Sequence, residues 1–380
     1  MSEKSFHSLC AWTFNAGKGG FTPADSRPAW SGQNLDTVGK IKLIAEKIKP
    51  LLPDHIELGF EVHYNNECDE SNSAAIADAL ADAGIWLAMM SPGAHQLFAY
   101  GGICSPDPGE RKKARQFGAD AIRLTYRDMQ KAWHPSVVPS LVIWNGSFGY
   151  DLASVGTWDM YGYLKEEIAA LCRVEQELGG KLPIAIEPKP NEGHPAMLLP
   201  TVASAIVFWH RMEKDYGIDI TNKGVNKEFG HSEMIGLDHV YDTVEEIDNN
   251  MLLHMHINSQ GYNDGLILGG PGKYDIDNGA RINGMNIAIA GLIQQVSYGR
   301  WKGHDMQVRA HDSEEQGIDR VIRSILSWEA CEMAAREMDY TTLRKALETR
   351  ETAWAEDIMR KSVVSAHDHF EEMYGPVSRF

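Results

Sequence analysis

The chain has 380 residues, 43% hydrophobic and 23% charged, enough to bury one large α/β barrel or two ordinary domains. Its formal net charge of −17 argues against a nucleic-acid surface, which needs clustered Lys and Arg. No window approaches a membrane span, and the opening "MSEKSFHSLCAW" lacks the apolar core of a secretory signal. The cysteines, at 10, 68, 104, 172 and 331, are odd in number, widely spaced and without a CxxC, which points to a reducing, cytoplasmic setting.

In chain order, the apolar runs that read as strands are "SLCAWTF", "IELGFEVH", "WLAMM", "SLVIW", "IAIEPK", "KGVNKE", "LLHMHIN" and "HDMQVRA". Between them lie segments of helical period at 36–49, 72–83, 110–132, 159–179, 198–216, 282–298 and 314–338. Strictly alternating strands and helices imply a parallel sheet, and eight repeats imply a closed (β/α)8 TIM barrel over residues 1–338. A doubly wound open sheet is the competing layout, disfavoured because no Gly-rich dinucleotide turn follows the first strand. Residues 339–380 read as a charged helical extension, either a solvated tail or one that contacts a neighbouring subunit.

Ionisable groups collect at the strand ends. In a strand, residues two apart share a face, so Glu187 and Lys189 pair at the end of strand five, and His254, His256 and Asn258 at the end of strand seven. Strand six ends in "NKEFGH", with Glu228 and His231; strand two ends in His63; strand eight is expected to begin with His304 and Asp305. Barrel enzymes place their chemistry at these carboxyl ends. Each group alone has an ordinary reading: a hydrogen-bonded core histidine, a solvated glutamate, or, for Asp275 and Asp277 in "GKYDIDNG", an Asx-turn. Together they form a costly assembly of like charges unless a cation neutralises it. Oxygen-rich ligation with an imidazole suits Mg²⁺, Mn²⁺ or Co²⁺. "GGPGKY" is set aside as a phosphate loop, because Tyr274 stands where Ser or Thr is required.

The blocks "IEPKPNE", "GVNKEFGHSEMIGLD", "HINSQG", "KYDID" and "GHDMQVR" resemble, in order, the signature blocks of the xylose isomerase family. The resemblance runs from about "WTFNAG" to "SWEACEMAAREM". It implies a metal-dependent aldose–ketose isomerase on a (β/α)8 barrel, working by a 1,2-hydride shift on a small sugar. It also implies two divalent cations per subunit and a homo-oligomer, dimer or tetramer. Carried over by position, Glu187, Glu228, Asp305 and Asn258 match the first metal site, with Glu228 bridging to a second formed by His231, Asp275 and Asp277. Lys189 matches the lysine at the substrate's O1, and His63 the ring-opening histidine. Trp144 and Phe98 match the aromatic walls, and Phe21 loosely matches an aromatic entering a neighbour's site.

The chain departs from the family pattern at several points. Asn258 stands where the family has aspartate, and Asn66 where an aspartate orients the histidine. About seven residues are added before Asp275, "AHQLF" replaces a threonine-containing block, and Gln307 replaces a lysine. The metal scaffold is kept while the substrate shell differs, which points away from D-xylose itself. Three other readings stay open: an isomerase or epimerase working through an enediol, metal-dependent phosphodiester cleavage (disfavoured by the acidic balance), and a catalytically impaired sugar-binding paralogue.

Overall fold

The computed structural model describes residues 4–15, 35–260, 277–309 and 312–375. Phe21 and Asp275 lie outside the described residues.

Eight parallel strands close into a barrel: β1 (Ser5–Cys10), β2 (Ile56–Tyr64), β3 (Trp86–Pro92), β4 (Ser140–Trp144), β5 (Ile184–Glu187), β6 (Lys223–Glu228), β7 (Leu252–His256) and β8 (Lys302–His304). Each neighbours the next in sequence, and β8 pairs with β1 to complete the ring. This is the expected TIM barrel. A parallel sheet with helices over its outer face is buried on both sides, so its strands read as near-continuous apolar runs such as "SLVIW" rather than alternating ones.

Helices α1 (Thr37–Leu43), α2 (Ser73–Ala83), α3 (Pro108–Arg127), α4 (Gly156–Glu177) and α5 (Val202–Tyr216) follow the first five strands. After β6 come a short α6 (Phe229–Glu233) and α7 (His239–Asp248), then α8 (Gly284–Gln295) after β7 and α9 (Glu314–Glu337) after β8. Their ends carry local signals. Thr201 with Ser204 and Ser313 with Gln316 form reciprocal caps at the starts of α5 and α9, and Gly84 and Gly217 end α2 and α5 at positive φ. The main core is the layer between strands and helices, with Trp209, Trp328, Phe60, Phe208 and Phe229 buried there.

Two strand boundaries differ from expectation. The first strand lies earlier, at Ser5–Cys10, and "AWTFN" turns instead as a 3₁₀ segment, Ala11–Asn15. The eighth strand ends at His304 rather than beginning there. Its core, "KGH", is too polar to read as a strand. Gly303 is required because a Cβ there would run into the Glu61 carboxylate and lie 2.7 Å from the His256 ring. The ring of strands, which pairs His7 with Lys302 and Met255 with Lys302, fixes the register that the apolar pattern could not. The helices α6 and α7 lie outside the segments of helical period; Asp238 caps α7 by accepting from Val240 N–H at 2.9 Å.

The C-terminal extension is helical, as α10 (Tyr340–Glu348) and α11 (Thr352–Tyr374). α11 lies along α9 and buries Ala366, Phe370 and Tyr374.

Candidate active site

The carboxyl ends of β5, β6 and β7 bring Glu187, Glu228 and His256 together, with one ligand-capable atom of each within 4.8 Å of the others. His256 Nδ1 faces three carboxylates: Glu228 Oε2 at 3.3 Å, Glu187 Oε2 at 3.4 Å and Asp305 Oδ2 at 3.6 Å. Asp305 follows β8 directly, and Trp12 Nε1 donates to its Oδ1 at 2.7 Å. The 3₁₀ turn after β1 thus has a purpose: it delivers Trp12 to the mouth.

The opposite edge of His256 is held from inside the barrel. Its Nε2 lies 2.9 Å from Glu61 Oε2, and His254 Nε2 lies 3.1 Å from Glu61 Oε1. Ser8 Oγ donates to the same carboxylate at 2.5 Å. Burial opposes ionisation of Glu61, but His256 and His254 hold it well below the usual carboxylate range. Burial likewise opposes protonation of His256, and Glu61 and Glu187 overcome it and raise that group well above its ordinary value. Glu187 has no such surplus of partners. Burial pushes its carboxyl up to about 7; His256 draws it down, Glu228 pushes it further up, and Asn226 Nδ2 donates to it.

Glu228 faces two ways. Its Oε2 turns to His256, while its Oε1 lies 3.1 Å from His231 Nε2 and 2.8 Å from Asn258 Nδ2. His231 Nδ1 donates to the Pro188 carbonyl at 2.9 Å, which leaves Nε2 as the atom meeting Glu228. Beyond Asn258, Asp277 Oδ1 lies 3.5 Å from the Asn258 amide, and Gln307 Nε2 donates to Asp277 Oδ2 at 3.2 Å. Asn258 is therefore near both groups without offering its oxygen to either. Its Oδ1 accepts from Gly230 N–H at 2.7 Å, and exchanging the two amide ends would set donor against donor there.

The donor set fits a divalent cation. Three buried or nearly buried carboxylates share one place with an imidazole nitrogen, an arrangement of like charges that an oxygen-seeking cation stabilises. Glu187, Glu228 and His256, with Asp305 beside them, could hold such an ion.

An aromatic wall stands beside these groups. The Trp12 and His63 rings are 4.2 Å apart, His95 packs edge-on to His63 at 5.9 Å and to Trp144 at 4.7 Å, and Lys189 Nζ lies 5.2 Å over the Trp144 ring. Burial and the neighbouring His63 pull His95 down to about 4, so it is a neutral wall at physiological pH. Lys189 Nζ also meets Glu192 Oε2 at 3.2 Å, across the proline-bounded turn after β5. His63 Nδ1 is held at 3.1 Å by Glu67 Oε2, which also accepts from the His63 backbone N–H at 2.9 Å. Glu67, four residues on, supplies the carboxylate expected of position 66, whose asparagine lies against Gly93 instead. Phe98 packs edge-on to Phe117 of α3 at 6.1 Å, and the ring that packs against Trp144 is His95.

Nothing in the sequence pattern singles out Trp12, Glu61, Glu67, His95 or Asn226, and His256 stands out only by the strand face it shares with His254 and Asn258. Glu67 has only its i,i+4 spacing from His63; the others depend on strands meeting across the barrel.

No family model matches the chain. Over 188 residues it is 26% identical to the xylose isomerase of Thermus thermophilus, a match that spans 48% of this chain and 44% of that protein. The chain thus aligns with less than half the length of that curated relative. An L-ribulose 3-epimerase structure superposes with a TM-score of 0.57 at 13% identity, covering 88% of this chain and 96% of that one. A candidate xylose isomerase from Rhodospirillum rubrum superposes with a TM-score of 0.58 at 12% identity, covering 87% and 99%. At these identities the structural likenesses speak for the barrel alone.

Proposed function

We propose that this chain, a divergent member of the xylose isomerase-like barrels, is a metal-dependent isomerase that interconverts a free aldose and its 2-ketose. The observation that carries the reading is Glu228, whose Oε2 turns to the Glu187, His256 and Asp305 cluster while its Oε1 meets His231 Nε2, so one carboxylate faces ligand-capable atoms on both sides. When bound, such cations polarise sugar oxygens as Lewis acids and lower the pKa of bound water.

The chain's own residues supply the rest. His63, its Nδ1 fixed by Glu67, moves a proton at the ring oxygen as the sugar opens. Lys189, backed by the Trp144 ring, places an ammonium against O1, where charge develops. In the isomerisation the C2 hydrogen shifts to C1 with its electron pair, the O2 proton is released and O1 takes one up, so no outside redox partner is needed. Trp12, His95 and Trp144 exclude water and orient the open chain. The substrate class is a small sugar other than D-xylose, since the shell around His63 and "AHQLF" has been rebuilt. The exposed apolar residues of α10 and α11, Leu347, Trp354 and Val364, are proposed to contact a neighbouring subunit.

A panel of aldoses and ketoses, assayed in D₂O with Mg²⁺, Mn²⁺ or Co²⁺ after chelator stripping, tests the reading. Interconversion without solvent deuterium at C1 or C2 is expected. Deuterium incorporation would replace the hydride shift by an enediol route, and the absence of turnover with every sugar and metal would leave at most a sugar-binding protein.

A further inference from the structure

The loops after β4 and β5 lead away from the candidate site together. One begins at Trp144 and the other holds Lys189, and they then pair as a short antiparallel ribbon, Gly149 with Met197 and Tyr150 with Ala196. Asn145 ties them, its Nδ2 meeting the carbonyls of Lys189 at 2.8 Å, Leu198 at 3.0 Å and Leu199 at 2.9 Å. At Gly193 the two backbones are so close that a Cβ would lie 2.6 Å from the Gly146 Cα. Between this ribbon, the segment before α3 and the start of α4 lies a cavity of about 260 Å³.

Tyr100, Tyr150 and Tyr163 line it, together with Asp151, Asp159 and His194. Among the described residues neither aspartate takes part in a hydrogen bond or ion pair, and no Lys or Arg lines the cavity. Burial draws His194 below its ordinary value against the pull of Asp151 and Glu110, so its neutral ring both donates and accepts.

This lining selects by exclusion. Carboxylates with no basic group beside them repel an anion. A cage for an organic cation needs open ring faces, and the Arg111 guanidinium already stands 3.8 Å over the Tyr163 ring. A wholly apolar ligand would strip water from Asp151 and Asp159 and return no hydrogen bond. A sugar ring meets each demand: its hydroxyls donate to the carboxylates and pair with the imidazole, and its C–H face packs on tyrosine. The volume is on the scale of one such ring, below that of a drug-sized site. Aromatic surface continues at the rim, where Trp158, one residue before Asp159, is 85% exposed and Tyr100 53%.

We propose that this cavity takes a second sugar ring, so that the substrate is a disaccharide whose reducing aldose sits in the candidate site. The inference rests on the isomerase reading for the first ring and on the cavity alone for the second. C1 and C2 must stay free for the hydrogen shift, which puts the glycosidic bond on a distal oxygen of the aldose. The tied loops hold both places in one frame, so contacts to the ring that does not react help to fix the one that does.

The test is calorimetric titration of the full chain, loaded with Mg²⁺, with maltitol, cellobiitol and isomaltitol, and with glucitol as the single-unit control. These reduced sugars have no carbonyl, so no heat of turnover intrudes. At least one disaccharide alditol is expected to bind at least about tenfold tighter than glucitol. Tyr100→Ala and Asp151→Asn should each remove about threefold or more of that advantage and leave glucitol binding unchanged. Both side chains are exposed, so neither change threatens folding. The proposal is overturned if no disaccharide alditol binds tighter than glucitol, or if both variants keep the full advantage. Disaccharide binding that depends on Tyr100 and Asp151, with no interconversion of any sugar, would overturn the isomerase reading and leave the ring-binding cavity standing. Turnover of free aldoses without a disaccharide advantage would do the reverse.

Discussion

Asn258 shows how one changed atom alters a site. As asparagine it donates to Glu228 and so stabilises that carboxylate; as aspartate it would set a second negative charge 2.8 Å from the first. Asn258→Asp is therefore expected to melt lower than the unaltered chain after chelation. It should also gain a larger rise on adding Mn²⁺, on the order of a few degrees. An equal metal-induced rise in the two proteins would remove Asn258 from the cation's surroundings. A second residue-scale test lies outside the site. Burial pushes the Glu246 carboxyl up to about 8, against the pull of Lys227. Its pKa is raised on folding, so the neutral form is favoured in the folded state, and the stability this confers is lost as pH rises from the unfolded value near 4.5 through about 8. Glu246→Gln, which cannot ionise, should gain stability relative to the unaltered chain across that window, by on the order of a few kcal/mol at its top. A difference that stays flat with pH would show the carboxyl is not held neutral.

Among the elements, β8 is the most constrained. It is three residues long, and at Gly303 its backbone passes so close to Glu61 and His256 that a methyl group has no room. Gly303→Ala should cost about 1–3 kcal/mol by overpacking. It should also weaken Mn²⁺ binding, because the atoms forced to move are those that orient His256 toward Glu187, Glu228 and Asp305. Loss of stability with unchanged metal affinity would separate the strand's packing from its support of the site. This element was also the hardest to place by pattern. The apolar residues Met306 and Val308, which suggested a strand, lie beyond its end, and Asp305 reaches the mouth because the strand stops before it. By contrast, β6 is legible to the residue as "KGVNKE", whereas "IAIEPK" overruns β5 by two residues; both strands end in a carboxylate at the mouth.

At the scale of the whole molecule, α11 packs along α9 while leaving Trp354 and Val364 exposed, and α10 leaves Leu347 exposed. Exposed apolar residues of this size on adjacent helices suit a subunit contact. Replacing Leu347, Trp354 and Val364 together by glutamate should lower the mass measured by light scattering while leaving the helical circular dichroism intact; an unchanged mass would place the contact elsewhere. Among the described residues no helix is long and apolar enough to cross a membrane, and all five cysteines are buried and free.

The sequence by itself determined the barrel, because the alternation of apolar runs with helical periods is a local property of the chain and eight repeats leave few ways to bury every strand. It also singled out Glu187 and Glu228 at strand ends, and His231 just beyond one, within recognisable blocks. Tertiary structure alone decided how those groups are held. Glu61 and His256 are 195 residues apart and meet only because β2 and β7 face each other across the barrel. In the run "LGFEVH" nothing distinguishes a buried glutamate with two histidine partners from one that faces solvent. Local periodicity specifies which way a side chain points, but which charge it meets depends on closure of the sheet.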